Sequence, residues 1–177
     1  HDEVRRLAEL MQAPVTSHRS GKGIVSDDSD YALMPPAAWK FWPKCDLLIG
    51  IGSRLELQYF RWRWFPKGIK VMRLDIDPTE MVRLKPDLGL VTDSKLGLEA
   101  FIAALEAKLG ERENRSQEYR ALKADAAEAL TSVQPQEGYL KAIRNALPRD
   151  GFFVEEVSQV GFTARMFFPG YAPRPYV

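Results

Sequence analysis

The sequence contains one cysteine, two histidines and almost no net charge. The single thiol, Cys45, cannot form a disulfide within the chain, which favours a reducing compartment and predicts a cytoplasmic protein. A formal net charge of +1 gives no general attraction to nucleic acid or to an anionic membrane surface. No apolar run approaches the roughly 18 residues that cross a bilayer. We therefore expect neither nucleic acid nor a membrane as a partner, and His1 and His18 are too few ligands to predict a metal site.

Hydrophobic residues make up 45% of the chain, which is enough for a packed core. Apolar strand patterns occur at residues 45–56, 68–78 and 88–93, and an apolar helical stripe follows at 94–110. Continuous apolar strands that alternate with helices are typical of a parallel sheet covered on both faces. The sequence thus predicts the α/β class with a doubly wound, Rossmann-like parallel sheet. Because a helical pattern begins at residue 2, we expect this sheet to lack its first strand.

Two carboxylates, Asp75 and Asp77, end the second of these strands. In doubly wound sheets, ligands bind outside the carboxyl ends of the strands. Metal ligation, acid/base chemistry, acceptance of ribose hydroxyls and a plain polar strand end all remain open for this pair. An aspartate before a proline is a common helix start, so Asp77 is predicted to cap a helix over residues 78–81.

The composition of the chain changes after Gly110. Residues 111–136 are charged and rich in alanine, which indicates a charged helical linker. A second apolar pattern over residues 137–177 includes a predicted strand at 152–156, followed by a helix. We therefore predict a central domain at 1–110, then the linker, then the truncated βα beginning of a second α/β domain. Both ends of the chain are expected to lie inside a longer protein.

Four short motifs occur in a characteristic order: GKG at 21–23, GIGSR at 50–54, LDIDP at 74–78 and TDSKLGLEAF at 92–101. In this order they resemble the central domain of thiamine-diphosphate-dependent enzymes of the acetolactate synthase, pyruvate decarboxylase and benzaldehyde lyase type. The tail from residue 150 to residue 177 resembles the opening of the third, diphosphate-binding domain of the same enzymes. The resemblance covers essentially the whole chain.

This resemblance implies an enzyme that acts on a 2-oxo acid or an aldehyde by decarboxylation or carboligation, with thiamine diphosphate and Mg²⁺ as cofactors. It also implies a homo-oligomer. In such enzymes a glutamate of the first domain activates the cofactor, and a GDG motif of the third domain binds its diphosphate; neither segment is in this chain. The single Asp-Gly pair, Asp150–Gly151, indicates a turn. We therefore predict no catalytic and no metal-binding residue here, and an inactive fragment when this chain is alone.

In some relatives of this type the central domain binds FAD or ADP. An arginine after the GS turn and the first aspartate of the DID segment then contact the nucleotide, and these match Arg54 and Asp75. An arginine fork suits a diphosphate, and a carboxylate can accept ribose hydroxyls. Residues 55–64 lack the glycine-rich pattern of the flavin-binding synthases, which disfavours FAD. The nucleotide-binding residues predicted from the three strand ends are Gly50, Gly52, Ser53, Arg54, Asp75, Ile76 and Asp93.

Two other functions are consistent with the sequence. One is a free-standing FAD-, NAD- or ADP-binding module, and the other is a purely structural assembly domain. The length of the complete reading frame distinguishes both of them from a thiamine-diphosphate-dependent enzyme, which would be about three such domains long. Residues 59–65, YFRWRWF, interleave aromatic rings and arginines as segments that bind nucleic acid do. The near-zero net charge instead favours an interface or a lid.

Overall fold

The computed structural model describes all residues of the chain, 1–177. It contains three β-strands and seven α-helices, and none of these helices has both the length and the apolar composition that a bilayer crossing requires. In chain order the elements are α1 Asp2–Met11, α2 Pro35–Phe41, β1 Leu47–Ile51, β2 Lys70–Asp75, α3 Thr79–Arg83, β3 Leu88–Val91, α4 Ser94–Glu106, α5 Ser116–Leu130, α6 Gln136–Ala146 and α7 Gln159–Phe167.

The chain forms two compact units. The first unit combines residues 1–40 with residues 112–177, and the second unit is the continuous segment Phe41–Glu111. All three strands belong to the second unit. The predicted division of the longer protein into a central domain, a linker and a third domain stays a prediction.

The second unit contains a parallel sheet in the order β1-β2-β3. Leu47 pairs with Lys70 at one end of the β1–β2 ladder, and Asp75 pairs with Val91 at one end of the β2–β3 ladder. The central strand β2 contributes most of the buried side chains, because it has a neighbour on each edge. Helices α3 and α4 contact this strand. The structure therefore confirms the predicted α/β class and its parallel sheet.

The aromatic segment of the second unit is folded onto itself. Residues Leu57–Trp62 form a π-helical turn. The ring of Trp42 lies 5.2 Å from that of Trp62 and 5.4 Å from that of Phe65, and its indole Nε1 donates a hydrogen bond to Trp64 O at 2.9 Å. The rings of Trp62 and Phe65 thus pack against Trp42, whereas the side chains of Phe60 and Trp64 are exposed, so part of the aromatic surface that suggested an interface or a lid remains accessible.

In the first unit, the helix α5 is packed against the beginning of the chain. Tyr119 is fully buried, and its hydroxyl donates a hydrogen bond to Gln12 O at 2.6 Å. Lys123 Nζ donates to Asp27 O and to Ser29 O, each at 2.7 Å. The charged composition of this region predicted a linker helix. The helix forms. Its residues Tyr119 and Lys123 bind residues that lie about a hundred positions earlier in the sequence.

The GKG loop of the first unit contacts the C-terminal segment. Lys22 is buried, and its Nζ donates a hydrogen bond to Phe168 O at 3.0 Å, while burial lowers the pKa of Lys22 to about 8. Asp27 and Gly170 exchange two hydrogen bonds, from Asp27 N–H to Gly170 O at 2.9 Å and from Gly170 N–H to Asp27 Oδ2 at 2.8 Å. Burial raises the pKa of Asp27. This loop and the C-terminal segment therefore form one hydrogen-bonded structure.

The predicted strand at residues 152–156 is reduced to a single parallel bridge between Phe153 and Tyr176. Phe153 N–H donates to Pro175 O at 2.8 Å, and Val177 N–H donates to Phe153 O at 3.0 Å. Pro175, which precedes Tyr176, has no N–H group to donate, so the parallel pairing cannot extend to the N-terminal side of the bridge. The apolar side chains around this bridge instead form a small core with α6 and α7, which contains Leu140, Ala164, Phe168 and Tyr176.

Candidate functional site

The turn after β1 leaves space at the carboxyl edge of the sheet. Gly52 has a φ of +52° and donates its N–H to Leu74 O at 2.8 Å, and a Cβ at this position would meet only Ser94 Oγ, at 3.5 Å. Ser53 Oγ accepts the N–H of Leu55 at 3.1 Å, which fixes the turn. The side chain of the next predicted residue, Arg54, is 81% exposed. A ligand can therefore approach the backbone at Gly52 and the guanidinium group of Arg54.

The two carboxylates after β2 have different partners. Asp77 Oδ1 accepts both the N–H of Thr79, at 2.9 Å, and its hydroxyl, at 2.7 Å, and these bonds lower the pKa of Asp77. Asp77 thus binds the first residue of α3, as a capping residue would, but from one position before the N-cap, which is Pro78. Asp75 Oδ1 instead accepts the backbone N–H of Asp77, at 3.1 Å. Ile76, between them, has an exposed side chain.

The third strand end carries Asp93. Its side chain accepts the N–H groups of Lys95 at 2.9 Å and of Leu96 at 3.1 Å, so it is the N-cap of α4. The three strands are parallel neighbours, and their carboxyl ends therefore lie along one edge of the sheet. Gly50 lies in β1 next to this edge, and a Cβ there would press on the side chain of Leu55. The structure thus places all seven predicted residues at the same edge; their ligand-binding role stays a prediction.

The sequence interpretation missed Arg73, which lies in the middle of β2 and is fully buried. Its Nη2 donates to Ser53 O at 2.8 Å, and its Nη1 donates to Glu80 O and, at 3.3 Å, to Leu84 O. Arg73 therefore connects the turn after β1 with both ends of α3. A charged residue inside an otherwise apolar strand, with a glutamate in the following helix, is the signal that could have revealed it.

Glu80 is the common partner of three arginines. Its Oε2 lies 2.6 Å from Arg83 Nη2 and 3.0 Å from Arg73 Nη2, and its Oε1 lies 3.5 Å from Arg54 Nε. Hydrogen bonds from Arg83 and Arg73 lower the pKa of Glu80 to about 2. This carboxylate is consequently ionised at neutral pH and cannot serve as a general acid there. The surrounding guanidinium groups favour an anion at this edge of the sheet.

No group of three or more His, Cys, Asp and Glu side chains in this chain is arranged to hold a metal ion. Asp150 and Gly151 form a turn, in which Gly151 N–H donates to Pro148 O at 2.9 Å.

Comparison with known families decides the family of the chain. Residues 1–101 match the sequence model described as "Thiamine pyrophosphate enzyme, central domain". The chain belongs to this family. The GKG, GIGSR, LDIDP and TDSKLGLEAF motifs all begin inside the matched region, so the resemblance drawn from them is confirmed.

Several relatives align with most of this chain of the thiamine pyrophosphate enzyme family. A probable 2-ketoarginine decarboxylase of Pseudomonas aeruginosa is 25% identical and aligns with 97% of the chain, which covers 32% of that relative. An acetolactate synthase large subunit of Porphyra purpurea is 28% identical over 90% of the chain and 29% of the relative. A 2-hydroxyacyl-CoA lyase of Arabidopsis thaliana is 28% identical over 53% of the chain. The chain thus spans less than a third of the length of these curated relatives.

Proposed function

We propose that the chain is the central part of a thiamine-diphosphate-dependent enzyme that acts on a 2-oxo acid or an aldehyde. The observation that carries this proposal is the family match over residues 1–101. The relatives support it, because their names describe a decarboxylase, a synthase and a lyase. In such reactions thiamine diphosphate supplies the electron sink, and the protein orients the substrate.

We propose that the residues of this chain contribute no ligand to the thiamine diphosphate site. A diphosphate bound through a divalent metal needs several oxygen ligands together, and no suitable group of side chains exists here. Asp150 and Gly151 belong to a turn instead. We therefore assign no catalytic step to this chain. Its proposed role in the enzyme is structural, with the sheet edge of the second unit as a nucleotide site.

The activity is tested with the complete protein encoded by the reading frame. We expect carbon dioxide release or carbon–carbon bond formation from a 2-oxo acid such as pyruvate or 2-ketoarginine, in the presence of thiamine diphosphate and Mg²⁺. The control reaction omits thiamine diphosphate. If no 2-oxo acid or aldehyde is converted in a cofactor-dependent way, the proposed activity is wrong, and a structural or nucleotide-binding protein becomes the better description.

We further propose that the carboxyl edge of the sheet binds ADP or FAD. Three features support this: the open backbone at Gly52, the exposed guanidinium of Arg54 and the carboxylate of Asp75. The exposed side chain of Ile76 offers an apolar surface for a planar base. The carboxylate of Asp93 already caps α4, so its contribution to binding is the smallest of the predicted residues.

Two matched substitutions test the nucleotide site. We expect Asp75→Asn to weaken ADP binding about tenfold, because the amide that replaces the carboxylate is a weaker, uncharged acceptor. Asp77→Asn should lower the melting temperature, because it weakens the start of α3, and should leave the ADP affinity unchanged. Calorimetric titration measures the affinities. An equal loss of affinity in both variants would mean that Asp77 also contacts the nucleotide.

The state of assembly and the compartment are also proposals. We propose a homo-oligomer, because the first unit exposes the apolar side chains of Phe152, Val154, Val157 and Phe162. Sedimentation of the complete protein measures the assembly. Cys45, which forms no disulfide within the chain, is consistent with the proposed cytoplasmic location.

A further inference from the structure

The segment between β1 and β2 carries a patch of exposed aromatic and basic side chains. Trp42, just before β1, packs against Trp62 and Phe65 of this segment, and the segment ends where β2 begins. These contacts hold it toward the amino ends of the strands, away from the carboxylates that follow β2 and β3. The exposed side chains, called the aromatic-basic patch below, are Phe60, Arg61, Arg63, Trp64 and Lys67.

The positive charge of the aromatic-basic patch is not compensated within the unit. Arg61 and Lys67 form no ion pair and no side-chain hydrogen bond, and Arg63 donates its Nε to a carbonyl group of its own turn at 3.0 Å. Residues 41–69 contain five basic and two acidic side chains. Even when Arg54 is set against its glutamate partner in α3, four basic side chains remain against two acidic ones. The excess positive charge is therefore local to this segment.

Two successive turns present the patch to solvent. The π-helical turn of Leu57–Trp62 is the first, and the N–H of Ile69, which donates to Pro66 O at 3.2 Å, closes the second. The side chains of Phe60 and Trp64 are 52% and 38% exposed. Proteins that bind single-stranded nucleic acid use a groove that follows the phosphate backbone. Side chains displayed on turns instead suit a broad, flat partner.

We propose that the aromatic-basic patch docks the protein on the surface of an anionic lipid bilayer, independently of the proposed catalytic and nucleotide functions. Phe60 and Trp64 enter the headgroup region, where aromatic side chains are favoured. Arg61, Arg63 and Lys67 lie beside the lipid phosphates, and the attraction of each basic side chain adds to the others. The near-zero net charge of the whole chain does not oppose this docking, because salt screens charges farther than about 10 Å from the surface.

Sedimentation of the complete protein with lipid vesicles tests this proposal. We expect binding to vesicles made of equal parts of phosphatidylglycerol and phosphatidylcholine, much weaker binding to phosphatidylcholine alone, and release at high salt. Arg61→Gln combined with Arg63→Gln should weaken binding to the anionic vesicles about thirtyfold, because each basic side chain near such a surface contributes about fivefold. Phe60→Ser should weaken binding roughly tenfold without changing its dependence on salt, because it removes apolar insertion alone.

The matched control combines Lys85→Gln with Lys95→Gln. These lysines are also exposed and belong to the same unit, but they lie outside the aromatic-basic patch. The control should bind anionic vesicles within about twofold of the wild type. Thermal unfolding checks that the variants are folded. The charge variants test the proposal even if Phe60→Ser is unstable, since they alter only exposed side chains.

Three results would overturn the proposal. The first is equal binding of the wild type to neutral and anionic vesicles, and the second is an equal loss in the control and in the Arg61 and Arg63 variant. The third is absence of binding to anionic vesicles. If a single-stranded thymidine oligonucleotide binds in that case, and the Arg61 and Arg63 variant loses it, the patch is a nucleic-acid surface instead.

Discussion

Replacement of Arg73 by methionine should destabilise the protein by about 3–5 kcal/mol, because it removes one partner of a buried ion pair. The guanidinium group donates to the carbonyl oxygens of Ser53, Glu80 and Leu84, and all three lose a buried donor in this variant. The expected fall in melting temperature is on the order of 10 °C. Thermal unfolding followed by circular dichroism measures it.

The matched control for this prediction is Arg61→Met. Arg61 is exposed and lies in the same unit, so its replacement should change the free energy of unfolding by about 0.5 kcal/mol or less. A melting temperature for Arg73→Met equal to that of the control would show that the hydrogen bonds of Arg73 do not stabilise the sheet edge. The variant should also weaken any ligand at the turn after β1, because Arg73 holds the carbonyl group of Ser53.

Replacement of Gly23 by alanine should destabilise the first unit by roughly 2–4 kcal/mol, from backbone strain and steric overlap together. Gly23 has a φ of +73°, and a Cβ there would overlap the carbonyl oxygen of Ala172 and lie 2.8 Å from its carbon. The C-terminal segment would have to move away from the GKG loop. Hydrogen exchange should therefore become faster at the amides of Asp27 and Gly170, which bond across this contact.

Gly110→Ala is the control for Gly23→Ala, because the Cβ position at Gly110 is open. No atom lies within 4 Å of the Cβ position at Gly110. We expect this variant to change stability by about 0.5 kcal/mol or less. Unchanged exchange at Asp27 and Gly170 in Gly23→Ala would mean that the loop and the C-terminal segment do not depend on each other.

The sheet could be predicted from the sequence because its signals are local. Three apolar runs with polar ends are enough to indicate parallel strands, and an Asp-Pro step is enough to indicate where α3 begins. The order of four short motifs indicated the family. The predicted positions at the strand ends follow from the same local signals.

The arginine cluster could not be predicted in this way. Arg73 is conspicuous in sequence as a charged residue inside an apolar strand, but only the fold shows that it lies inside the unit and that Glu80 binds both Arg73 and Arg83. The contacts of α5 and of the C-terminal segment were missed for a related reason. They join residues about a hundred or more positions apart, for which neither periodicity nor composition gives a signal.

The division into two units has a consequence for the order of events during synthesis. The second unit is one continuous segment, so all its strands are available once residue 111 has left the ribosome. Residues 1–40 of the first unit emerge earlier, yet the partners of Gln12 and Lys22, at Tyr119 and Phe168, are made much later. We therefore expect the sheet to form first. The GKG loop is synthesised earlier, but it can fold against its partners only after the C-terminal segment has been made. A ribosome stalled after residue 111 has left the exit tunnel, but before the C-terminal segment has been made, would carry a folded sheet and an exposed GKG loop.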